Sequence, residues 1–151
     1  MFCVDAYTTE PGRSGPQPFL AAGVKFESLN AIGLDPIPVG ESGLSAERGG
    51  YFTKSPLYLD DGVAWAEVTV IEGDASLAWV PASVWTSGGR WLLDAYLAPR
   101  AHFESCDGSY TGFLGGLLTS AADECLTLGV SSSLRPEVQA VRVAIGRDAC
   151  N

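Results

Sequence analysis

The sequence predicts an all-β domain: an antiparallel β-sandwich, or a related barrel, of about nine short strands stapled by disulfides. Three observations predict it. Residues alternate at period two, most strictly from Gly62 to Ile71 and again from Val141 to Ile145. Turn signatures built on Gly, Pro, Asp and Ser recur roughly every 8–12 residues. The chain is only 18% charged, rich in Gly and Pro, and carries four cysteines, a profile of loop-rich β-proteins rather than helical bundles.

The elements follow in order. Residues 1–22 read as an extended N-terminal arm, because PGRSGPQP (Pro11 to Pro18) cannot form a helix. Gly23 to Leu29 alternates and forms a first strand. Gly33 to Gly50 is a loop or irregular edge segment, since its glycines and prolines exclude a central strand. The body begins at Tyr51 with YFTKSPLYL and reaches the turn Asp60-Asp61-Gly62. In Gly62 to Ile71, Ala64, Ala66, Val68 and Val70 share one face and Trp65, Glu67 and Thr69 the other. Glu72-Gly73-Asp74 then predicts a hairpin between this strand and ASLAWVPASVW. Ser87-Gly88-Gly89 turns the chain into RWLLDAYL, and PRAHFESC leads to Cys106. Beyond Cys125, Leu126, Leu128 and Val130 alternate with Thr127 and Gly129. SSSLRPE turns into a last strand containing Val141, Val143 and Ile145. Only SAADE and GLSAER offer a helical turn. No repeat or linker divides the chain, so 1–151 is read as a single domain.

Charge narrows the function classes. A formal net charge of −9 opposes nucleic acids, whose binding depends on Lys and Arg neutralising phosphates, and anionic membrane surfaces likewise. No run reaches the roughly 18 apolar residues that span a bilayer, so direct membrane insertion of this segment is not expected. MFCVDAYTTE lacks the basic start and apolar core of a signal peptide; export would rely on a signal or anchor removed from upstream.

Cys3, Cys106, Cys125 and Cys150 contain no Cys-x-x-Cys pair, which argues against zinc. An even count in an acidic, turn-rich β-protein fits disulfides and an oxidising compartment, secreted or at the cell-envelope exterior. Three pairings are open. The favoured one joins Cys106 to Cys125, closing a short segment and stabilising the fold by roughly 3 kcal/mol, and Cys3 to Cys150, pinning the two ends together.

One resemblance emerges from the residues after Phe103. Phe103 and Cys106, then Thr111, Phe113, Gly115 and Gly116, then Cys125, Leu128 and Val130, then Val141 to Val143 and Cys150 form an ordered pattern. It resembles a group of exported actinobacterial β-proteins of uncharacterised activity, with F-x-x-C, T-x-F-x-G-G, C-x-x-L-x-V and a final cysteine. Leu117 stands where that pattern has an aromatic, and Cys3 lies outside it. The resemblance implies export and a disulfide-stabilised β-fold, and no catalytic role.

Chemistry is sparse. No G-x-S-x-G elbow is present, and His102, the only histidine, reads as a strand residue facing solvent. Asp107, Ser109 and Thr111 look like a fragment of a calcium loop without its remaining ligands; a turn held by side-chain-to-backbone hydrogen bonds explains them, as it does Asp60-Asp61-Gly62. GFLGG lacks the lysine of a phosphate loop. No catalytic residue, metal site or cofactor is assigned. Trp65, Trp79, Trp85 and Trp91 fill a core or form a recognition face. Because Glu67 is costly to bury unpaired, Trp65, Glu67 and Thr69 are the candidate binding residues. The expectation is a non-enzymatic exported binding or structural module for an unknown protein or carbohydrate partner. The alternatives are a carbohydrate-binding module using the tryptophans and a small secreted hydrolase using Asp/Glu carboxylates.

Overall fold

The computed structural model describes residues 1–9, 19–26, 36–39, 49–85, 93–146 and 150. Eleven strands lie among them, all paired antiparallel. They are β1 (Phe19–Ala21), β2 (Val24–Phe26), β3 (Ile37–Pro38), β4 (Tyr51–Lys54), β5 (Leu57–Leu59), β6 (Trp65–Glu72), β7 (Ala75–Val80), β8 (Arg100–Glu104), β9 (Thr111–Thr119), β10 (Glu124–Ser132) and β11 (Gln139–Ile145). A seven-stranded sheet runs β1-β2-β5-β9-β4-β3, with β7 on the other edge of β9; a four-stranded sheet runs β11-β10-β6-β8.

One core fills the space between the sheets. Phe26, Leu57, Phe113 and Leu117 from the larger sheet pack with Val68, Phe103, Leu128 and Val143 from the smaller, giving the sandwich that period-two patterning predicts. Phe103 lies between Trp79 and Phe113, with ring centroids 5.4 and 5.2 Å away. A second cluster on the opposite face of the larger sheet joins Phe52, Ala78 and Leu118 to Val39 and Leu97. Both faces of β9 are therefore covered, and all nine of its residues are buried.

The Gly-Gly of β9 answers to this crowding. On one edge β9 pairs with β5 and then β4, two halves of one strand broken at Ser55-Pro56. On the other it pairs with β7. A Cβ on Gly116 would sit 1.9 Å from the Thr53 carbonyl oxygen. One on Gly115, at φ 154°, would sit 2.4 Å from the Ala78 oxygen and 2.8 Å from Trp79 Cδ1. Only glycine lets backbone and indole approach this closely.

Several expectations are corrected. Glu72-Gly73-Asp74 does not close a hairpin: β6 pairs with β10 and β8, whereas β7 pairs with β9, so this turn carries the chain across the sandwich. Both edges of β6 are occupied within its own sheet, which leaves β7 no place beside it. The strand expected through ASVW ends at Val80, and after Pro81 residues Ala82–Trp85 form a single helical turn, α1. Part of RWLLDAYL is likewise a 3-10 turn, Leu93–Ala95. SAADE contributes bends and the start of β10 rather than a helical turn. GLSAER, PGRSGPQP and Ser87-Gly88-Gly89 lie outside the described residues.

The first nine residues lie against the body. The Glu104 N–H donates to the Met1 carbonyl on the outer edge of β8, and at the other end Tyr7 N–H donates to Gly112 and Gly112 N–H to Thr8 on β9. Leu77 and Ala98 exchange backbone hydrogen bonds further along, just before the chain enters β8. On this side hydrogen bonding links the two sheets, an intermediate between sandwich and barrel.

The disulfides are Cys3–Cys106 and Cys125–Cys150, not the expected pairing. The segment from Cys106 to Cys125 is no short turn; it contains the whole of β9. Nine extended residues span about 27 Å, far beyond the ~7 Å over which a disulfide can close. Cys106 precedes β9 and Cys125 follows it, so each finds its partner at its own end of the sandwich. All four cysteines are paired, which suits an oxidising, extracellular environment. Among the described residues no helix is long and apolar enough to cross a membrane.

Candidate functional site

The outer face of the four-stranded sheet carries the predicted binding residues. In β6, Ala66 and Val68 are fully buried and Val70 packs against the core, so Trp65, Glu67 and Thr69 face the other way, as period two requires. Each is half-buried. Ala64, expected inward, precedes the strand and is exposed.

Strand β8 completes the constellation. Its register places Glu104 opposite Trp65, His102 opposite Glu67 and Arg100 opposite Thr69. The imidazole stacks on the indole of Trp65, with centroids 6.3 Å apart and planes 18° from parallel. His102 Nδ1 lies 3.3 Å from Glu67 Oε1, and Nε2 lies 3.3 Å from Glu104 Oε1. The ring is thus bracketed by carboxylates at both nitrogens, and both accept a hydrogen bond only when both nitrogens carry protons. The three side chains keep 40 to 51% of their surface in water, so these contacts order the patch more than they stabilise the fold.

The patch continues across β10. Glu67 faces Ser131 and Thr69 faces Gly129. Over Gly129 stand Ile71 and Val138, each with a carbon 2.9 Å from where a glycine Cβ would be; both are largely exposed. The outer face therefore combines an aromatic-imidazole stack, two carboxylates and an adjoining apolar ridge.

The other tryptophans do not extend it as a row. Trp79 points between the sheets at 4% exposure, packed against Phe26 and Phe103. The side chain of Trp85, and Trp91 altogether, lie outside the described residues. On the larger sheet Tyr58 stacks on Tyr110 and shares a hydrogen bond with the Tyr7 hydroxyl, but both Tyr58 and Tyr110 are buried.

In the suspected calcium loop, Thr111 serves the backbone. Thr111 Oγ1 accepts from the Cys106 N–H and donates to the Ser109 carbonyl. Asp61 accepts from the Tyr110 N–H, and Asp60 pairs with Lys25 at 3.0 Å. Among the described residues no three His, Cys, Asp or Glu side chains converge as a metal site.

Reading the sequence alone, His102 and Glu104 were missed as partners of Trp65. Arg100, His102 and Glu104 alternate with buried Phe103, so their outward direction was legible. That β8 lies beside β6, with β7 skipped, was not. Compared with protein-family models, curated proteins and solved structures, the chain matches none.

Proposed function

We propose that this chain is a non-enzymatic exported binding module whose recognition face is the outer surface of the four-stranded sheet around Trp65. The observation that carries the reading is the stack of Trp65 on His102, bracketed by Glu67 and Glu104 on a half-exposed sheet face. A buried aromatic pair serves packing. A half-exposed one, pre-ordered by charged neighbours, offers an apolar platform with polar groups at its rim, the composition of a protein or sugar recognition surface. Two disulfides support export, because they persist outside the reducing cytosol.

Among ligands, carbohydrate has a specific observation in its favour. An indole beside two carboxylates gives a sugar ring a stacking surface and its hydroxyls two acceptors. A hydrolase built on Asp/Glu carboxylates remains the alternative from another class. The test is binding of the intact chain to immobilised polysaccharides and to envelope proteins, with Trp65→Ala and Glu67→Gln in parallel. The reading expects both substitutions to weaken capture while the fold survives. Undiminished capture by Trp65→Ala would overturn the choice of face, and turnover of chromogenic glycosides would replace binding with hydrolysis.

A further inference from the structure

We infer that the Cys125–Cys150 disulfide is a directional thiol-exchange site, opened by an external thiolate attacking Cys150 with Cys125 as the leaving group. The two sulfurs have unlike neighbours. Arg142, exposed on β11, points its Nε–H at Cys125 Sγ from 3.2 Å. No carboxylate among the described residues lies within ion-pair distance of that guanidinium, and its Nε–H brings positive charge to the sulfur. On the other side, the Val143 carbonyl oxygen sits 3.4 Å from Cys150 Sγ. A disulfide sulfur has no proton, so this contact brings only the negative end of a carbonyl dipole. Both neighbours polarise the bond in one sense: negative charge is stabilised on Cys125 and opposed on Cys150.

Thiol–disulfide exchange is sensitive to this asymmetry, because the sulfur that leaves as the more stable thiolate leaves faster. An external thiolate supplies an electron pair to Cys150 Sγ, the Cys125–Cys150 bond breaks, and its electron pair departs on Cys125 beside Arg142. The product is a mixed disulfide on Cys150 and a thiolate at Cys125. Among the described residues no guanidinium stands beside Cys3–Cys106, where the Cys3 carbonyl lies 3.8 Å from Cys106 Sγ. The partner implied is any molecule presenting an accessible thiolate, which would become covalently attached through Cys150.

The experiment treats the intact, fully oxidised chain with reduced glutathione, traps free thiols with iodoacetamide at intervals, and maps peptides without reduction. Glutathione is expected on Cys150, the alkyl group on Cys125, and Cys3–Cys106 intact at early times. Arg142→Gln should slow opening about two- to fivefold, the size of an exposed charge interaction, without changing the rate at Cys3–Cys106. Arg142→Lys should retain part of the effect. Circular dichroism confirms that each variant is folded. Glutathione on Cys125, simultaneous opening of both disulfides, or an unchanged rate in Arg142→Gln would each overturn the inference.

Discussion

Gly116→Ala should be among the most damaging single-methyl additions in this domain. Gly116 lies in the buried strand β9, and its new Cβ would meet the Thr53 carbonyl oxygen at 1.9 Å, the Thr53 carbonyl carbon at 2.9 Å and Phe52 Cζ at 3.0 Å. The first two are backbone atoms of β4, so no rotamer change relieves the collision. Relief needs β4 to retreat by about 1 Å, weakening several hydrogen bonds worth ~0.5–1.5 kcal/mol each, and β9 to bend into the core, with an overpacking penalty of ~1–3 kcal/mol. Together we expect a loss of about 3 to 5 kcal/mol, a large part of a typical 5–15 kcal/mol stability. That corresponds to roughly 6–20 °C in Tm for a domain of this size. Urea denaturation followed by tryptophan fluorescence, with calorimetry for Tm, measures it. Gly62→Ala is the control: its φ is 90° but nothing lies within 4 Å of its Cβ, so only backbone strain of about 1–2 kcal/mol applies. A Gly116→Ala loss below ~1 kcal/mol, or one no larger than that of the control, would refute the packing described for β9.

Adjacent residues of β8 should behave oppositely: Phe103→Ala should lose ~3–5 kcal/mol and His102→Ala under ~1 kcal/mol in the same denaturation assay. Trp65→Ala should lose well under the ~3–5 kcal/mol of a core aromatic; a loss in that full range would make Trp65 packing and remove the proposed face. Replacing Cys3 and Cys106 together by serine should destabilise by about 4.7 kcal/mol, and replacing Cys125 and Cys150 by about 3.5 kcal/mol, from closed loops of 103 and 25 residues in the loop-entropy relation. Melting curves of the two double variants test that order.

What was legible in the sequence was local. Alternation in β6, β10 and β11 gave direction as well as strand type, because one mispointed residue would bury a charge. Ala66, Val68, Leu126, Leu128, Val130, Val143 and Ile145 are all buried as their spacing requires. What failed was partnership. Glu72-Gly73-Asp74 has the composition of a hairpin turn, yet three such residues serve equally for a crossing between sheets. The choice is made by which strand edges are already filled, and those partners come from remote positions such as Ser131 and His102. Even ASVW, apolar and short, reads as strand until Pro81 is given its weight as the point where β7 stops.

The disulfide pairing and the β8 neighbours of Trp65 were missed for one shared reason, and it has a physical remedy. Pairing Cys106 with Cys125 assumed that the residues between them form a compact turn. Yet the same segment holds Phe113, Leu114, Leu117 and Leu118, a near-continuous apolar run flanking Gly-Gly. Such a run reads as a strand buried on both faces, and a buried strand of nine residues forbids its two flanking cysteines from meeting. The excluded pairing then leaves Cys106 to a partner at the start of β9 and Cys125 to one at its far end. The same reasoning bears on the face around Trp65. With β9 central to one sheet, β6 lies beside β8 in the other, and the outward residues of RAHFE fall beside the outward residues of WAEVT. His102 then has one place to lie, on Trp65 and between two glutamates.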